Sequence, residues 1–515
     1  MPYNIYTPNV HLYAFHLYQN FNQNYADNNA NTQNYENNNN DKIIKSYDNN
    51  LLWNKFRKIS KYLQITTPLT LTEFNPEVER KNLLESATDN NTILNLEGNI
   101  HHPEGETKIK GSVCPLQLYD SYILWLKLYI PKLNENHEKT ELVNTLLFKY
   151  FNESECLSYQ NINSSIGQTV LLTAELTPED AEKKEEWQQI ATECASYFLG
   201  VNNNPKLYQT GELFGSPIFE YGNPSQANEN HIFVWLFLPE SNTEDKFNNC
   251  NQEFIDLFFY RQKTIKAYHG SREVYKNISE GYQKIQNIIN AIEPNLTDEQ
   301  IDTYPTQPLS KDNLNNFTHH LRTLPKLDFQ YLDWLGELEN YGITLNINTK
   351  NYGVKLNQIK EKVDIQDIQF LAKFNEEISN KFAEQVKIDL NYFQIRKNLI
   401  DKLISSIRGM LDIEQVYLKK QWLKNNKQQN QQLKTTIAIV GTGIGVAGVS
   451  ASTFHYLQKP PEKPPGMRIL SGNFGTHPFT YSLIVSLGMG VVAAFIVTVL
   501  IYLWRQIMSD KQEKY

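Results

Sequence analysis

Cysteine is scarce in this chain, with 4 in 515 residues, and Cys114, Cys156, Cys194 and Cys250 form no C-x-x-C pair. Such spacing argues against a zinc framework and predicts reduced thiols in a core. Catalytic signatures are missing as well: the sequence holds no H-E-x-x-H, no P-loop, no G-x-S-x-G and no EF-hand loop. No catalytic residue is assigned on this basis, and neither a cofactor nor a metal ligand is expected. A cationic excess is absent too, since the formal net charge is −8, which leaves no footprint for nucleic acid. Residues Met1 to Val10 have neither a basic n-region nor an apolar h-region. No signal peptide is therefore expected, and the large N-terminal part is expected in the cytoplasm.

Charge is also absent from two long apolar runs near the C-terminus, Thr435 to Leu457 and Phe479 to Trp504. Each is long enough to cross a hydrocarbon core of about 30 Å as a helix. The short loop 458–478 between them predicts an antiparallel hairpin with a cytoplasmic tail at 505–515. Lys419, Lys420, Lys424, Lys427 and Lys434 precede the first run without an acid among them, while Arg505, Lys511 and Lys514 follow the second. By the bias of cationic flanks, both termini are expected in the cytoplasm, in an integral protein of an inner or plasma membrane whose direct partner is lipid.

What precedes the runs is mixed. Extended segments are predicted at Val10 to Tyr18, Thr92 to Leu96, Thr107 to Val113, Tyr122 to Tyr129, Thr169 to Leu176 and Ile232 to Leu238. Helices are predicted at Leu51 to Leu63, Lys139 to Tyr150 and Pro178 to Leu199. The last is the best marked, with Thr177 as N-cap, Pro178 at the first helical position and Gly200 as stop. Residues 19–50 are dominated by asparagine and read as an insertion too poor in aliphatics to build a core. Residues 1–240 thus read as an α+β cytoplasmic domain of possible ferredoxin-like topology.

From 241 to 434 the reading is helical. A helix runs from Glu244 to Ile292, a proline-containing break follows at 294–308, and proline is absent between Pro325 and Pro460. From Ile365 the apolar positions Leu371, Phe374, Ile378, Phe382, Val386, Leu390 and Phe393 recur at steps of three and four, continuing through Leu399, Leu403, Ile407, Met410 and Leu411. This predicts a long stalk helix whose stripe needs partners, either neighbouring helices or other copies of the chain in a homo-oligomer.

Three candidate groups of residues stand out. The run Gly443-x-Gly445-x-x-Gly448 matches a dinucleotide fingerprint in spelling, but its apolar surroundings and the Pro460-Pro461 pair deny it the strand and helix that the fingerprint requires. Helical geometry instead puts Ala438, Gly441, Gly445, Gly448 and Ser452 on one small-residue face, suited either to packing of the hairpin or to surrounding a pore. In the cytoplasmic part, Arg261, Tyr268 and Arg272 fall near one helical face, where cation and aromatic together suit a small anionic ligand; a solvated basic helix is the plainer alternative. The pairs His101-His102 and His319-His320 point in different directions on any regular element, so neither builds a metal site by itself.

The layout as a whole, an α+β cytoplasmic domain, a long stalk, two C-terminal spans and a short basic tail, resembles the CorA-like divalent-cation channels. The resemblance covers residues 365–515 and lacks that family's Gly-Met-Asn signature; only Gly466-Met467-Arg468 occurs, displaced into the loop. It implies an oligomer with a cytoplasmic sensory domain that gates ion transport. A membrane-anchored binding or scaffold protein without a pore is the competing expectation.

Overall fold

A computed structural model describes residues 2–18, 51–103, 105–131, 142–200, 205–226, 230–292, 311–364 and 368–424. The chain divides into two compact units, residues 1–273 with 339–388, and residues 274–338 with 389–515.

The first unit is built on ten strands: β1 (Asn4–Leu17), β2 (Arg80–Asn82), β3 (Leu94–His102), β4 (Gly105–Leu118), β5 (Ser121–Tyr129), β6 (Val143–Asn144), β7 (Gly167–Leu176), β8 (Leu207–Leu213), β9 (Ser216–Tyr221) and β10 (Ile232–Phe237). They form one sheet in the order β2-β4-β5-β1-β7-β10-β9-β8, with β3 added to β4 and β6 to β1. Every pairing is antiparallel except β7 with β10. Long β1 lies between β5 and β7, so its side chains alternate between two buried faces: Leu12 and Ala14 enter one core, Tyr13 and Phe15 the other. Burial on both sides explains why the strand reads as almost continuously apolar or aromatic.

The first face is covered by α1 (Leu51–Tyr62), α2 (Leu147–Phe151), α3 (Tyr159–Ile162), α4 (Pro178–Glu182) and α5 (Trp187–Leu199). Thr177 caps α4 as expected: its side chain accepts from the Asp180 amide, and Pro178 takes the first position. The expected single helix Pro178 to Leu199 is two, because Lys183 leaves the helical region at φ −93° and ψ 74°. Gly200 ends α5 at φ 97°. The second face is covered by α6 (Thr243–Asn249), the start of α7 (Asn251–Ile292), the end of α8 (Lys311–Val363) and α9 (Gln369–Lys373). A π-turn, Phe374–Ser379, leads from α9 into α10 (Asn380–Lys424).

The second unit is helical. Its buried residues include Ile278 and Ile285 of α7, Leu324, Tyr331 and Leu338 of α8, and Ile400, Ile407 and Leu411 of α10. A Cβ on Gly281 would meet Trp334 at 2.5 Å, so glycine is what lets the indole lie against α7. Tyr331 donates its hydroxyl proton to the Phe393 carbonyl at 3.0 Å, and Lys397 reaches Asp328 at 3.3 Å.

The expected fold class needs correction. The α+β part is a large mixed sheet covered by helices on both faces, well beyond a ferredoxin-like sandwich, because the hairpin β8–β9 extends it past β10 and the short strands β2 and β6 add to β4 and β1. The membrane reading is corrected with it, together with the transmembrane-helix assignment and the placement of both termini in the cytoplasm. No helix among the described residues is long and apolar enough to cross a membrane. The long helices α7, α8 and α10 each carry charged residues along their length. The runs 435–457 and 479–504, the loop between them, the tail, and Ala438, Gly441, Gly445, Gly448 and Ser452 lie outside the described residues, as does the asparagine-rich segment 19–50.

Candidate functional site

The trio Arg261, Tyr268 and Arg272 does not converge. Arg261 is 2% exposed and its Nη2 bonds Glu220, itself buried, while the guanidinium lies 3.9 Å from the centre of the Phe374 ring. Tyr268 stacks on Phe382 at 3.7 Å, and Arg272 lies over the Tyr268 ring at 5.2 Å. Tyr268 and Arg272 are therefore brought together, whereas the charge of Arg261 is spent on an internal carboxylate.

Around that carboxylate stands a closed polar network. Glu220 on β9 also meets His231 Nε2 at 3.0 Å, and His231 Nδ1 lies 2.9 Å from the Thr169 hydroxyl. Gln262 donates to Thr169 Oγ1 and to the Gln168 carbonyl. Burial pushes His231 down to about 4, helped by Arg261 and opposed by Glu220. Burial by itself raises the Glu220 carboxyl, but Arg261 and the His231 hydrogen bond outweigh it and hold the group below its ordinary value. A neutral imidazole beside an ionised, arginine-paired carboxylate is what these shifts describe. The network lies in the core, where Arg261 Nε and Gln168 Oε1 have no hydrogen-bond partner while the other groups bond one another, which makes it a fastening between the sheet and α7.

A groove of about 290 Å³ opens at the start of the same helix. Arg80 of β2, Cys114 and Leu116 of β4, and Trp125 of β5 form its floor. Amide side chains crowd its rim: Asn90 and Asn91 in the turn before β3, Asn248 and Asn249 at the end of α6, and Asn251 and Gln252 at the start of α7. Lys362, near the end of α8, also lines it and is held by both Glu253 oxygens at 3.0 Å. The amide side chains of Gln252 and Asn91 bond across the rim.

Arg80 is set in a fixed position. Its Nη1 donates to Asp256 Oδ1 at 2.5 Å, and the second Asp256 oxygen accepts from Lys355 at 3.0 Å. Nε and Nη2 of the same guanidinium are buried and have no hydrogen-bond partner. These two N–H groups form the edge with which arginine grips a carboxylate or phosphate in bidentate fashion. Asn251 Oδ1, in the same lining, is likewise buried without a partner. Arg80, Lys355 and Lys362 stand against Asp256 and Glu253, and the Asp89 carboxylate also acts on Cys114 in the lining, so the neighbourhood is balanced in formal charge.

Cys114 is the one thiol in the lining. Burial pushes it up to about 12, and its Sγ lies 3.6 Å from Asn82 Nδ2 and 3.5 Å from the Thr92 carbonyl. A thiol so protonated is a poor nucleophile. The other cysteines are buried and free. Among the described residues no group of three or more His, Cys, Asp or Glu could hold a metal ion. His101 and His102 diverge, one to Glu106 at 3.0 Å and the other to Thr107 at 2.9 Å.

Sequence reasoning passed over Arg80 because nothing around it spells a motif. The density of asparagine and glutamine near 90 and 250 was the available signal, hidden by the abundance of asparagine elsewhere. Comparison of the chain with protein-family models, with curated proteins and with solved structures returns no match.

Proposed function

We propose that the first unit is a sensory or carrier module that binds a small polar ligand bearing a carboxylate or phosphate, with Arg80 as the anion anchor. The observation that carries this reading is the guanidinium edge Nε/Nη2, buried without a partner while Asp256 pins the opposite end. A buried donor left unsatisfied costs about 1–3 kcal/mol, more when charged, and an oxyanion would recover that cost through two charge-assisted hydrogen bonds. The asparagine and glutamine rim supplies donors and acceptors for hydroxyl or amide groups on the rest of the ligand. The reading is binding without catalysis, since the thiol in the lining is protonated and no nucleophile in it is paired with a base.

The test is calorimetric titration of the full chain with inorganic phosphate and with succinate, beside Arg80→Gln. Binding of either probe by the unaltered chain, weakened at least about tenfold by Arg80→Gln with the thermal midpoint little changed, is the expected result. Equal binding by both proteins, or none by the unaltered chain, removes Arg80 as the anchor.

A further inference from the structure

Large apolar side chains left in solvent are not scattered over this protein. Fourteen are exposed among the described residues, and nine of them fall on α8 and α10: Ile343, Ile347, Val354, Ile388, Tyr392, Ile395, Leu399, Ile413 and Val416. Within the second unit the set on α10 runs Tyr392, Ile395, Leu399, Ile413 and Val416, between 45% and 63% exposed. Steps of three and four from Leu399 to Ile413 pass through Lys402, Ser406 and Gly409, all exposed. The stripe therefore keeps a 3.5-residue period from 392 to 416, as one seam of a coiled coil does. It lies opposite the seam that the second unit already buries through Phe393, Ile400, Ile407 and Leu411. A helix whose outward face needed only water would carry charge there.

The order of residues along the seam says what covers it. Counted from Ser406, Leu399 stands seven positions before and Ile413 seven after; Ile395 stands eleven before and Val416 ten after; Tyr392 and Lys420 stand fourteen to either side. A sequence symmetric about its midpoint is self-complementary under a two-fold axis, where residue i meets j and j meets i. We infer that α10 is the contact through which two copies of this chain associate, antiparallel, with the two-fold axis at Ser406. Leu399 then packs on Ile413 of the second copy and Ile395 on Val416. The centre is small, and a Cβ on Gly409 would meet nothing within 4 Å, so the helices approach closest there. Each Lys402 lays its stem across that open space with its ammonium in water.

Size sets the strength. The seam from 392 to 416 is about 36 Å long at about 1.5 Å per residue, and a helix is about 10 Å wide. The pair of copies covers roughly 700 Å² in total, below the ~1,200 Å² of a stable specific interface. Association is accordingly weak and concentration-dependent, and independent of any ligand in the groove.

Disulfide trapping in the full chain suits a weak complex, and the native thiols are buried and will not compete. Ser406→Cys is expected to form a covalent dimer under mild oxidation, because the axis brings the two copies of this residue together. Leu399→Cys alone is expected to stay monomeric, its two copies being about 21 Å apart, beyond the reach of about 7 Å for a disulfide. An equimolar mixture of Leu399→Cys and Ile413→Cys is expected to give the mixed dimer, and Ile395→Asp placed in the Ser406→Cys chain is expected to abolish trapping. Trapping of Leu399→Cys with itself would establish a parallel pair and overturn the assignment. Absence of dimer in Ser406→Cys, with circular dichroism unchanged, would assign the seam to some other occupant and overturn it equally.

Discussion

Between Glu220 and Thr169 the imidazole of His231 has a fixed tautomer. A carboxylate only accepts, so Nε2 carries the proton toward Glu220, and Nδ1 is left to accept from the Thr169 hydroxyl. That hydroxyl in turn accepts from Gln262 at 3.0 Å. His11, on the same face of β1, is the contrasting case: it is buried against Tyr13, Trp125 and Phe247, neither ring nitrogen has a hydrogen-bond partner, and burial holds it well below its ordinary value, helped by the charge of Lys127. Both histidines are neutral in the folded chain. The unfolded chain takes up their protons near pH 6.5, so it binds more protons than the folded one below that pH. Stability is therefore full above about pH 6.5 and falls as pH drops toward 4, on the order of 3 kcal/mol for His231 alone. Glu220 acts in the same direction at lower pH, since its folded form also resists protonation. Thermal unfolding of the unaltered chain and of His231→Gln between pH 7.5 and 4.5 checks this. The unaltered chain should lose the more on acidification, and parallel curves would contradict the assignment.

Elements here obey local rules where the chain is exposed and tertiary rules where it is not. Thr177 satisfies one orphan amide of α4, that of Asp180, through its hydroxyl, as its place before Pro178 and Glu179 predicts. Thr177→Ala is expected to cost about 1 kcal/mol, read from the denaturation midpoint, with Thr177→Asp recovering most of it. Six strands and the start of α1 were legible from apolar patterning, although β1 begins six residues before Val10, β3 runs six past Leu96, and the helix expected at Lys139 to Tyr150 reduces to α2 after the short strand β6. The hairpin β8–β9 was not, because Leu207 to Leu213 carries no alternation and takes its place only through β9. Likewise, Pro325 lies inside α8 where a sequence reading stops a helix. The π-turn at Phe374 is another tertiary decision: the ring it presents covers the buried guanidinium of Arg261.

At the scale of the whole molecule, the sheet depends on pairings between segments far apart in sequence. β1 pairs with β5 more than a hundred positions away and with β7 still farther on, and it alone joins β5 to β7. Such closure is costly before it is rewarded, so formation of the sheet should be slow relative to its helices. Removal of residues 1–18 is expected to divide the sheet and abolish its cooperative unfolding, measured by near-ultraviolet circular dichroism on heating. A retained sharp transition would show that the remaining strands re-pair without β1.

The sequence by itself determined the helical character of the region after 243, the best helix cap and the burial of its cysteines, because each follows from spacing or composition within a few turns. It suggested an anion site at Arg261, Tyr268 and Arg272 because helical spacing alone cannot reveal that Glu220, forty-one positions earlier, neutralises the first of them. Tertiary structure alone decided which arginine keeps an unsatisfied edge. Arg80 owes that edge to Asp256, 176 positions along the chain, which binds one end of the guanidinium and leaves the other without a partner. The same holds for the seam on α10: its period is written in the sequence, but which of two apolar faces stays in water depends on the helices that bury the other.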